Sequence, residues 1–276
     1  MNYFDVHSHP HDKAFDADRE ALLQEMLLKG VSTIAIGTDQ TESKKAVKLA
    51  EENKNIYASV GLHPADNVTE VFDYEFYKAL AKNTKVVAIG ECGLDYFYIE
   101  NFFERDQKEK GITHNKDSEQ DRQKRIFEEH INLAHELNKP LMLHIRAGKG
   151  STDAYDDAIE MLTHAHTNGK TVTGNVHFFT GTLEIAKQFV ALGLTISFPG
   201  VITFAKEYDE VVKEIPLEMI HAETDSPYAT PVPHRGKRNS PIYVEEVVKK
   251  IAELKNLPID VVKIKLLENA KRFFRV

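Results

Sequence analysis

The sequence has little of what a cross-linked, secreted or membrane-spanning protein needs. It contains one cysteine, Cys92, so no disulfide can form within the chain, and we expect its thiol to pack in the core. It has no apolar run near the ~20 residues that a transmembrane helix requires. Residues 2–9 read as a strand with Asp5 inside it and carry no basic leader, so no secretory signal is visible. We therefore expect a cytoplasmic protein that does not enter a membrane.

Positive charge is also in short supply. Lysine and arginine number 35 against 43 aspartates and glutamates, which gives a formal net charge of -8. This balance argues against a generic nucleic-acid coat protein, which would carry a basic face. It does not argue against an enzyme that meets phosphates through bound cations, because a divalent pair adds about four positive charges locally.

What the sequence does have is a regular alternation of strand-like and helix-like segments. Helical periodicity is clearest at 18–29, which ends before Gly30, at 118–138 and at 243–255. Several of the strand-like runs are almost wholly apolar, as in strands buried on both faces of a parallel sheet. Eight βα units in about 270 residues favour a (β/α)8 TIM barrel of one domain, 1–276, over a doubly wound open sheet. The strand-like runs lie near residues 2–7, 31–36, 56–60, 85–90, 140–145, 172–178, 193–198 and 218–224.

One charged segment, residues 97–122, interrupts this rhythm after the fourth predicted strand. We expect a long loop here, because no regular pattern is visible. Loops of this length are usually functional or mobile. It would be either a lid that shapes the substrate or a solvated insertion.

Metal-binding residue types follow five of the eight predicted strands. In a parallel barrel the C-terminal ends of the strands form the active site, so these side chains should converge. Neutral imidazoles and carboxylates suit zinc, manganese and similar cations. The residues are His7 and His9 after the first strand, Glu91 after the fourth, His144 after the fifth, His177 after the sixth and Asp225 after the eighth.

Each candidate also has an ordinary structural interpretation. His7 and His9 point the same way from an extended chain and can grip one cation, or they are a pair of polar loop histidines. Glu91 ends an apolar strand, where an anion is costly unless it bridges two cations or forms a salt bridge. Asp95 is interpreted as a helix or turn cap.

The candidates on the later strands depend more on one another. Singly, His144 and His177 are most simply hydrogen-bonded core histidines, but beside Glu91 they can hold a second metal. Asp225 closes the ring, because the eighth strand of a barrel adjoins the first. It can ligate the first cation, accept a proton from water, or both.

Cationic side chains near the same rim suit a phosphate. His63 follows the third predicted strand, and Arg146 follows His144, where its guanidinium can bind a phosphate through two hydrogen bonds. Arg235 and Lys237 lie in a basic run after the eighth strand. Surface solvation and substrate contact are equally compatible with that run.

The other histidines lack such a pattern. Those on predicted helices, His130, His135, His164 and His166, are expected to be exposed. His221 is expected to face the barrel wall or the helices.

Taken in order, these segments resemble the motif series of the TatD-related metal-dependent deoxyribonucleases. The C-terminal segment from Glu268 to Phe274 also resembles the final helix of that family. Two departures are the length of segment 97–122 and the pair Phe179-Thr180, where a Phe-Ser pair is usual. The matching segments are Asp5–His9, Val60–Pro64, Ile89–Tyr96, Leu143–Arg146, His177–Gly181, Glu223–Tyr228 and Arg235–Asn239.

The resemblance implies an amidohydrolase-type TIM barrel with two divalent metal ions, of zinc, magnesium or manganese. It implies that His7, His9, Glu91 and Asp225 bind one metal and that Glu91, His144 and His177 bind the other. It also implies hydrolysis of DNA phosphodiesters by a metal-activated water, often as a 3′-to-5′ exonuclease. We expect Asp225 and Glu91 to take part in catalysis, the substrate to be single-stranded DNA or 3′ ends, and the protein to be a monomer.

Two other functions remain compatible with the residues. One is another hydrolase on the same scaffold, acting on a cyclic amide, lactone or phosphotriester. Many such barrels are expected to bridge their metals with a modified lysine on strand 4, where this chain has Glu91, and that favours the phosphodiesterase by analogy. The other is a barrel that binds metal or nucleic acid without catalysis.

Overall fold

Eight parallel strands, joined in the order β1 to β8, run through the computed structural model, which describes residues 1–276. Sequential order around one sheet is the arrangement of a (β/α)8 barrel, so the prediction of this fold is confirmed and the doubly wound sheet is excluded. The strands are β1 (Tyr3–Ser8), β2 (Val31–Ile36), β3 (Ile56–Val60), β4 (Val86–Asp95), β5 (Leu141–Arg146), β6 (Gly174–His177), β7 (Thr195–Phe198) and β8 (Ile220–Ala222).

The seam between β8 and β1 is closed by a few specific hydrogen bonds. The backbone N–H of Asp225 donates to the His7 carbonyl oxygen at 2.9 Å. The carboxylate of Asp5, buried in β1, accepts from the backbone N–H of Thr224 at 2.9 Å and from its hydroxyl at 2.6 Å. The first and last strands are therefore held together where both reach the rim.

The helices begin and end at residues with the expected capping chemistry. Gly30, at a φ of 67°, ends the first helix, and Asp39 begins the second by accepting from the N–H of Glu42 at 2.8 Å. None of the helices combines the length and apolarity that a membrane span needs. The helices are α1 (Arg19–Lys29), α2 (Gln40–Glu52), α3 (Tyr74–Ala81), α4 (Tyr96–Asn101), α5 (Phe103–Lys110), α6 (Lys116–Leu137), α7 (Asp153–Thr167), α8 (Leu183–Ala191), α9 (Asp209–Glu214), α10 (Val244–Lys255) and α11 (Ile259–Phe274).

The segment 97–122 is mostly helical, which corrects the prediction of a long loop. Asp95 caps α4 by accepting from the N–H of Tyr98 at 2.7 Å, and Gly111, at a φ of 67°, ends α5. Asn115 then caps α6 by accepting from the N–H of Ser118 at 2.9 Å. The high density of charge masked a helical pattern built on few apolar residues. We refer to residues 96–110 as the α4–α5 arm.

His130 is on α6 as predicted, but it is buried rather than exposed. Its Nε2 accepts from the backbone N–H of Leu62 at 3.0 Å, and its Nδ1 lies 2.7 Å from the Ile126 carbonyl oxygen. Burial lowers the pKa of His130 to about 4. The neutral imidazole therefore ties α6 to the chain that follows β3.

The N-terminal end of the barrel is filled by α11. Phe274 is buried in a cluster of nine apolar residues that draws on four strands and this last helix. Side chains of strands this far apart around a barrel meet only in its interior. The cluster therefore closes the end opposite the strand termini that carry the candidate ligands; its other members are Phe4, Val6, Ile34, Ile36, Val87, Ala88, Met142 and Ala270.

Candidate metal centre

A cavity of about 830 Å³ opens at the C-terminal ends of the strands. The ends of all eight strands except β7, with the segments that follow them, contribute a histidine, a carboxylate or both to its lining. Five of the six predicted metal ligands line it, and the sixth, His7, is fully buried behind them. The lining ligands are His9, Glu91, His144, His177 and Asp225.

The strands are irregular where they deliver two of these side chains. The register of β1 against β2 shifts between Asp5 and Ser8, which spans His7. The register of β4 against β5 shifts between Ile89 and Cys92, which spans Glu91. Such irregularities re-aim a side chain beside an active site. Here they turn an imidazole and a carboxylate toward each other.

Glu91 is the centre of the cluster, and its two oxygens face different partners. Oε2 lies 3.5 Å from His7 Nε2. Oε1 lies 2.8 Å from His177 Nε2 and 3.2 Å from His144 Nδ1. One carboxylate therefore joins two groups of imidazoles.

Asp225 completes the first of these groups. Its Oδ1 lies 3.6 Å from His7 Nε2 and 3.5 Å from His9 Nε2. Asp225 follows β8 with a φ of 52°, a left-handed conformation that a non-glycine residue adopts only under constraint. The backbone bond to His7 holds it in this place.

The charges of the cluster favour an ionised Glu91. Burial alone would raise the pKa of Glu91, but the neighbouring histidines His177, His7 and His63 outweigh it and hold that pKa well below its usual value. Burial likewise opposes protonation of His144, yet its contacts with Asp95 and Glu91 raise its pKa to about 9. An ionised Glu91 is therefore held by cationic partners in this cluster, a part that a bound metal ion would take over.

The pKa of His7 is shifted in the opposite direction to that of His144. Burial, reinforced by the neighbouring His177, lowers the pKa of His7 to about 4. The two rings are stacked, with centroids 3.7 Å apart. Neither ring nitrogen of His7 has a hydrogen-bond partner, although both are buried. Such atoms are rare in folded proteins, and a bound cation is a recognised explanation.

The spacing of the donor atoms fits divalent cations. Ligand atoms placed about 2.1 Å from a tetrahedral cation lie roughly 3.4 Å from one another. Around the first position the distances from His7 and His9 to the carboxylates are 3.5 to 3.6 Å. Around the second position His144 Nδ1 and His177 Nε2 are 3.4 Å apart and share Glu91 Oε1. Nitrogen and carboxylate donors together suit zinc or manganese.

Two carboxylates behind the histidines were not recognised from the sequence as parts of the site. Asp95 Oδ2 lies 3.0 Å from His144 Nε2, so it fixes the ring while also capping α4. Glu223 is fully buried, with Oε1 3.6 Å from His177 Nδ1. An outer carboxylate within hydrogen-bond distance, as Asp95 is, orients a metal-binding imidazole, whereas Glu223 makes a charge contact with His177 but no hydrogen bond to it. Their only signal in the sequence was their closeness to Glu91 and to Asp225.

Of the side chains predicted to meet substrate, two lie in the cavity. His63 has Nε2 3.6 Å from Glu91 Oε1 and so belongs to the cluster itself. Arg146 lines the cavity wall. Arg235 and Lys237 do not line the cavity: Arg235 donates to the Thr230 carbonyl oxygen at 2.8 Å, and the side chain of Lys237 is exposed.

With this geometry in view, comparison with known proteins identifies the family. A family model described as TatD related DNase matches residues 4–275. The chain belongs to the TatD-related DNase family. The TatD resemblance of the motif series is therefore confirmed over nearly the whole chain.

Relatives in the TatD-related family agree in name and structure. YabD of Bacillus subtilis (strain 168), described as an uncharacterized metal-dependent hydrolase, is 38% identical over 278 residues, which cover 99% of each chain. YcfH of Escherichia coli (strain K12), described in the same way, is 34% identical over 83% of this chain and 77% of its own. The crystal structure of YJJV, a TatD homologue from Escherichia coli K12, superposes with a TM-score of 0.83 at 28% identity, covering 100% of this chain and 98% of the other.

The chain is thus a metal-dependent hydrolase of the TatD-related family. Three groups of side chains in its cavity bring ligand atoms within 4.8 Å of one another. They are His7, His9 and Glu91; His63, Glu91 and His144; and His7, His177 and Glu223.

Proposed function

We propose that this TatD-related hydrolase is a deoxyribonuclease that cleaves phosphodiester bonds of DNA as a 3′-to-5′ exonuclease. The observation that carries the proposal is the meeting of six side chains from five strand ends around Glu91. A single carboxylate between two groups of imidazoles suits a pair of cations. Paired cations stabilise the negative charge on the attacking and leaving oxygens during displacement at a phosphodiester.

The proposed ligands divide into two sets that share Glu91. His7, His9, Glu91 and Asp225 would hold one divalent cation, of zinc, manganese or magnesium. Glu91, His144 and His177 would hold the other. Glu91 would belong to both sets, since its Oε2 faces His7 and its Oε1 faces His177. When bound, such cations lower the pKa of water and stabilise charge on phosphoryl oxygens.

Asp225 is the proposed proton acceptor. Its carboxylate lines the cavity and is only partly buried, so it can meet both the ligand set and an attacking water. A carboxylate within hydrogen-bond reach of that water can take its proton as the water oxygen approaches phosphorus. The seam bond from Asp225 N to His7 keeps the group in place during this transfer.

His63 and Arg146 are the proposed phosphate contacts. His63 Nε2 faces the cavity beside Glu91, while its Nδ1 lies among the backbone N–H groups of Ala65 and Asp66. Arg146 presents an exposed guanidinium at the wall. A guanidinium can hold two phosphate oxygens at once, which fixes the direction of attack.

The test is hydrolysis of single-stranded DNA and of bis-p-nitrophenyl phosphate before chelation, after chelation and after each metal is returned. We expect activity to be lost with chelator and to return with zinc or manganese. Oligonucleotides labelled at either end should show shortening from the 3′ end. Full activity after rigorous metal removal would refute the metal mechanism.

The same assay separates the competing hydrolase. A panel containing a dihydropyrimidine amide, a lactone and a phosphotriester is run beside the diester at equal concentration. The proposal requires the diesters to have the highest kcat/KM of the panel. Preference for the amide, lactone or triester would move this chain to another branch of hydrolase chemistry while leaving the metal centre intact.

A further inference from the structure

The wall of the cavity has an acidic side and a side that carries its lysine and arginine residues. The loops after β1, β2 and β3 contribute Asp12, Glu42 and Asp66 and no lysine or arginine. Besides Glu91 and Asp95 at the floor, β4, β5 and the segments after them contribute three cations, Arg105, Lys110 and Arg146, and one carboxylate, Asp106. Because the strands are ordered around one barrel, the cationic residues are grouped on one side of the opening. A polyanion would be attracted to that side and repelled by the other.

The cationic side also carries two aromatic rings, of which Phe102 is exposed and Phe97 is half-buried. The guanidinium of Arg146 lies over Phe97, 3.8 Å from the ring centroid. The guanidinium of Arg105 lies 5.4 Å from the ring of Phe102, which is 39% exposed and lines the cavity. An aromatic ring and a flat guanidinium both offer a face on which a nucleobase can stack.

Asp106 holds the cations of this side in position. It is buried, accepts from the Tyr98 hydroxyl at 3.1 Å and contacts Arg105 at 2.9 Å and Lys110 at 2.8 Å. Its single negative charge leaves this group of three with a net positive charge. Arg105 and Lys110 are therefore fixed at the rim without being neutralised.

The α4–α5 arm that carries Phe97, Phe102 and Arg105 is anchored at the metal centre. Asp95, which contacts His144, also caps the arm through the N–H of Tyr98. Phe103 on the other face of α5 is buried in the core. The exposed ring of Phe102 therefore stands at a fixed position relative to the cluster around Glu91.

We propose that the α4–α5 arm is a base-stacking wall that receives the unpaired bases of a single-stranded nucleic acid and leads its backbone into the metal centre. The stacking wall consists of Phe102, Arg105, Lys110 and Arg146, and Phe97 supports the guanidinium of Arg146 from behind. This inference rests on the proposed nuclease function and adds the element that sets preference for a polymer. Inside a duplex the base faces are covered by neighbouring bases, so only an unpaired strand can use the wall.

The experiment compares a short thymidine oligonucleotide with bis-p-nitrophenyl phosphate, which has no base to stack. For Phe102→Ala and for Arg105→Ala we expect the ratio of kcat/KM for the oligonucleotide to that for the small diester to fall roughly ten-fold, mostly through KM, as expected when one stacked base is lost. Phe102→Tyr keeps the ring and should restore the ratio.

Phe204 provides a matched control. It is 45% exposed and lies under the guanidinium of Arg235 at 4.1 Å, but it does not line the cavity. Phe204→Ala should leave the ratio within about two-fold of the original, a change smaller than the stacking of one base. Equal losses in Phe102→Ala and Phe204→Ala, or no loss in either, would overturn the inference.

Binding separates a failure of this inference from a failure of the proposed function. The affinity of a fluorescent thymidine oligonucleotide is measured by anisotropy with chelator present, so that no hydrolysis is needed. Weaker binding in Phe102→Ala but not in Phe204→Ala supports the wall even if no DNA is cleaved. Cleavage of DNA with identical binding in all three proteins supports the nuclease and rejects the wall.

Discussion

His144 Nε2 and Asp95 Oδ2 lie 3.0 Å apart, and this contact links the metal cluster to the α4–α5 arm. The second oxygen of Asp95 accepts from the N–H of Tyr98 at 2.7 Å. A carboxylate that accepts a hydrogen bond from Nε2–H favours the tautomer of His144 in which Nδ1 carries no proton. The lone pair of Nδ1 is then free on the side that faces Glu91. The residue interpreted from sequence as a cap is therefore both a cap and the partner of a proposed ligand.

Replacing Asp95 by asparagine should weaken one metal position while keeping the helix cap. The asparagine oxygen can still accept from Tyr98, but its amide would face His144 Nε2 as a donor and favour the tautomer with the proton on Nδ1. We expect metal affinity at the second position to fall about 10- to 100-fold. Titration of the metal-free protein followed by calorimetry measures this.

Asp73→Asn is the control for Asp95→Asn. Asp73 caps α3 by accepting from the N–H of Phe76 at 3.0 Å and takes no part in the cavity. It should leave metal affinity unchanged. A similar loss in both variants would mean that the effect comes from helix capping and not from His144.

Replacing Glu91 by glutamine should remove the bridge between the two ligand sets. We expect the bound metal to fall from two ions toward one or none, and the rate of diester hydrolysis to fall by about three orders of magnitude, since several kcal/mol of charge stabilisation are lost. Inductively coupled plasma mass spectrometry measures the metal content, and steady-state kinetics measures the rate.

Glu70→Gln serves as the comparison for Glu91→Gln. Glu70 is partly buried and accepts from the Tyr77 hydroxyl at 2.8 Å, away from the cavity. Its substitution should leave both metal content and rate near those of the original protein. Retention of two metals and normal turnover in Glu91→Gln would reject the bridge.

Replacing His221 by leucine should stabilise the protein, most of all in acid. His221 is buried against Phe273 and Phe274, and neither ring nitrogen has a hydrogen-bond partner. Burial, with a smaller effect of Arg272, lowers its pKa from 6.5 to about 3. The unfolded chain therefore binds a proton below pH 6.5 that the folded chain does not, and stability is lost as the pH falls from 6.5 toward 3.

The size of this effect follows from the linkage between protonation and folding. At pH 5 the loss due to His221 is about 2 kcal/mol, and it is absent at pH 8. The advantage of His221→Leu, measured by urea unfolding, should therefore grow by about that amount from pH 8 to pH 5. An advantage that stays constant with pH would show that His221 does not carry the acid sensitivity.

Replacing Phe274 by alanine should destabilise the end of the barrel opposite the metal centre. Phe274 is 2% exposed and packs in the cluster with Phe4 and Ala270. Loss of a buried phenyl ring costs about 3–5 kcal/mol, because a cavity is left behind. Urea unfolding measures this, and Phe274→Leu should lose less than half as much if packing volume is the cause.

Much of the fold and the proposed ligand set could be predicted because both follow from one repeated pattern. Strands buried on both faces are apolar throughout, and eight such runs can be counted in the sequence. A parallel barrel then brings all eight strand ends to one rim. The sequence therefore predicts that His7, Glu91 and Asp225 lie together. Their approach to within 3.6 Å depends on irregular strand register, which no periodicity reveals.

The parts that escaped prediction depend on tertiary context. The helices of the α4–α5 arm are short and the second is almost wholly charged, so no long apolar stripe marks them, and the cap at Asp95 is their clearest signal. His130 lies on a helix rich in charge, and its burial results from packing against Phe72, with ring centroids 4.4 Å apart. The place of Glu223 behind His177 follows from the strand order, which sets β8 beside β7 and β7 beside β6.

The seam between β8 and β1 has a consequence for the folding of the newly synthesised chain. His7 and His9 are made at the start of synthesis, whereas Asp225 emerges from the ribosome near its end. The last donor reaches the first two only when β8 docks beside β1, in the same step that shuts the barrel. A nascent chain therefore lacks the complete set of proposed ligands until the barrel has closed.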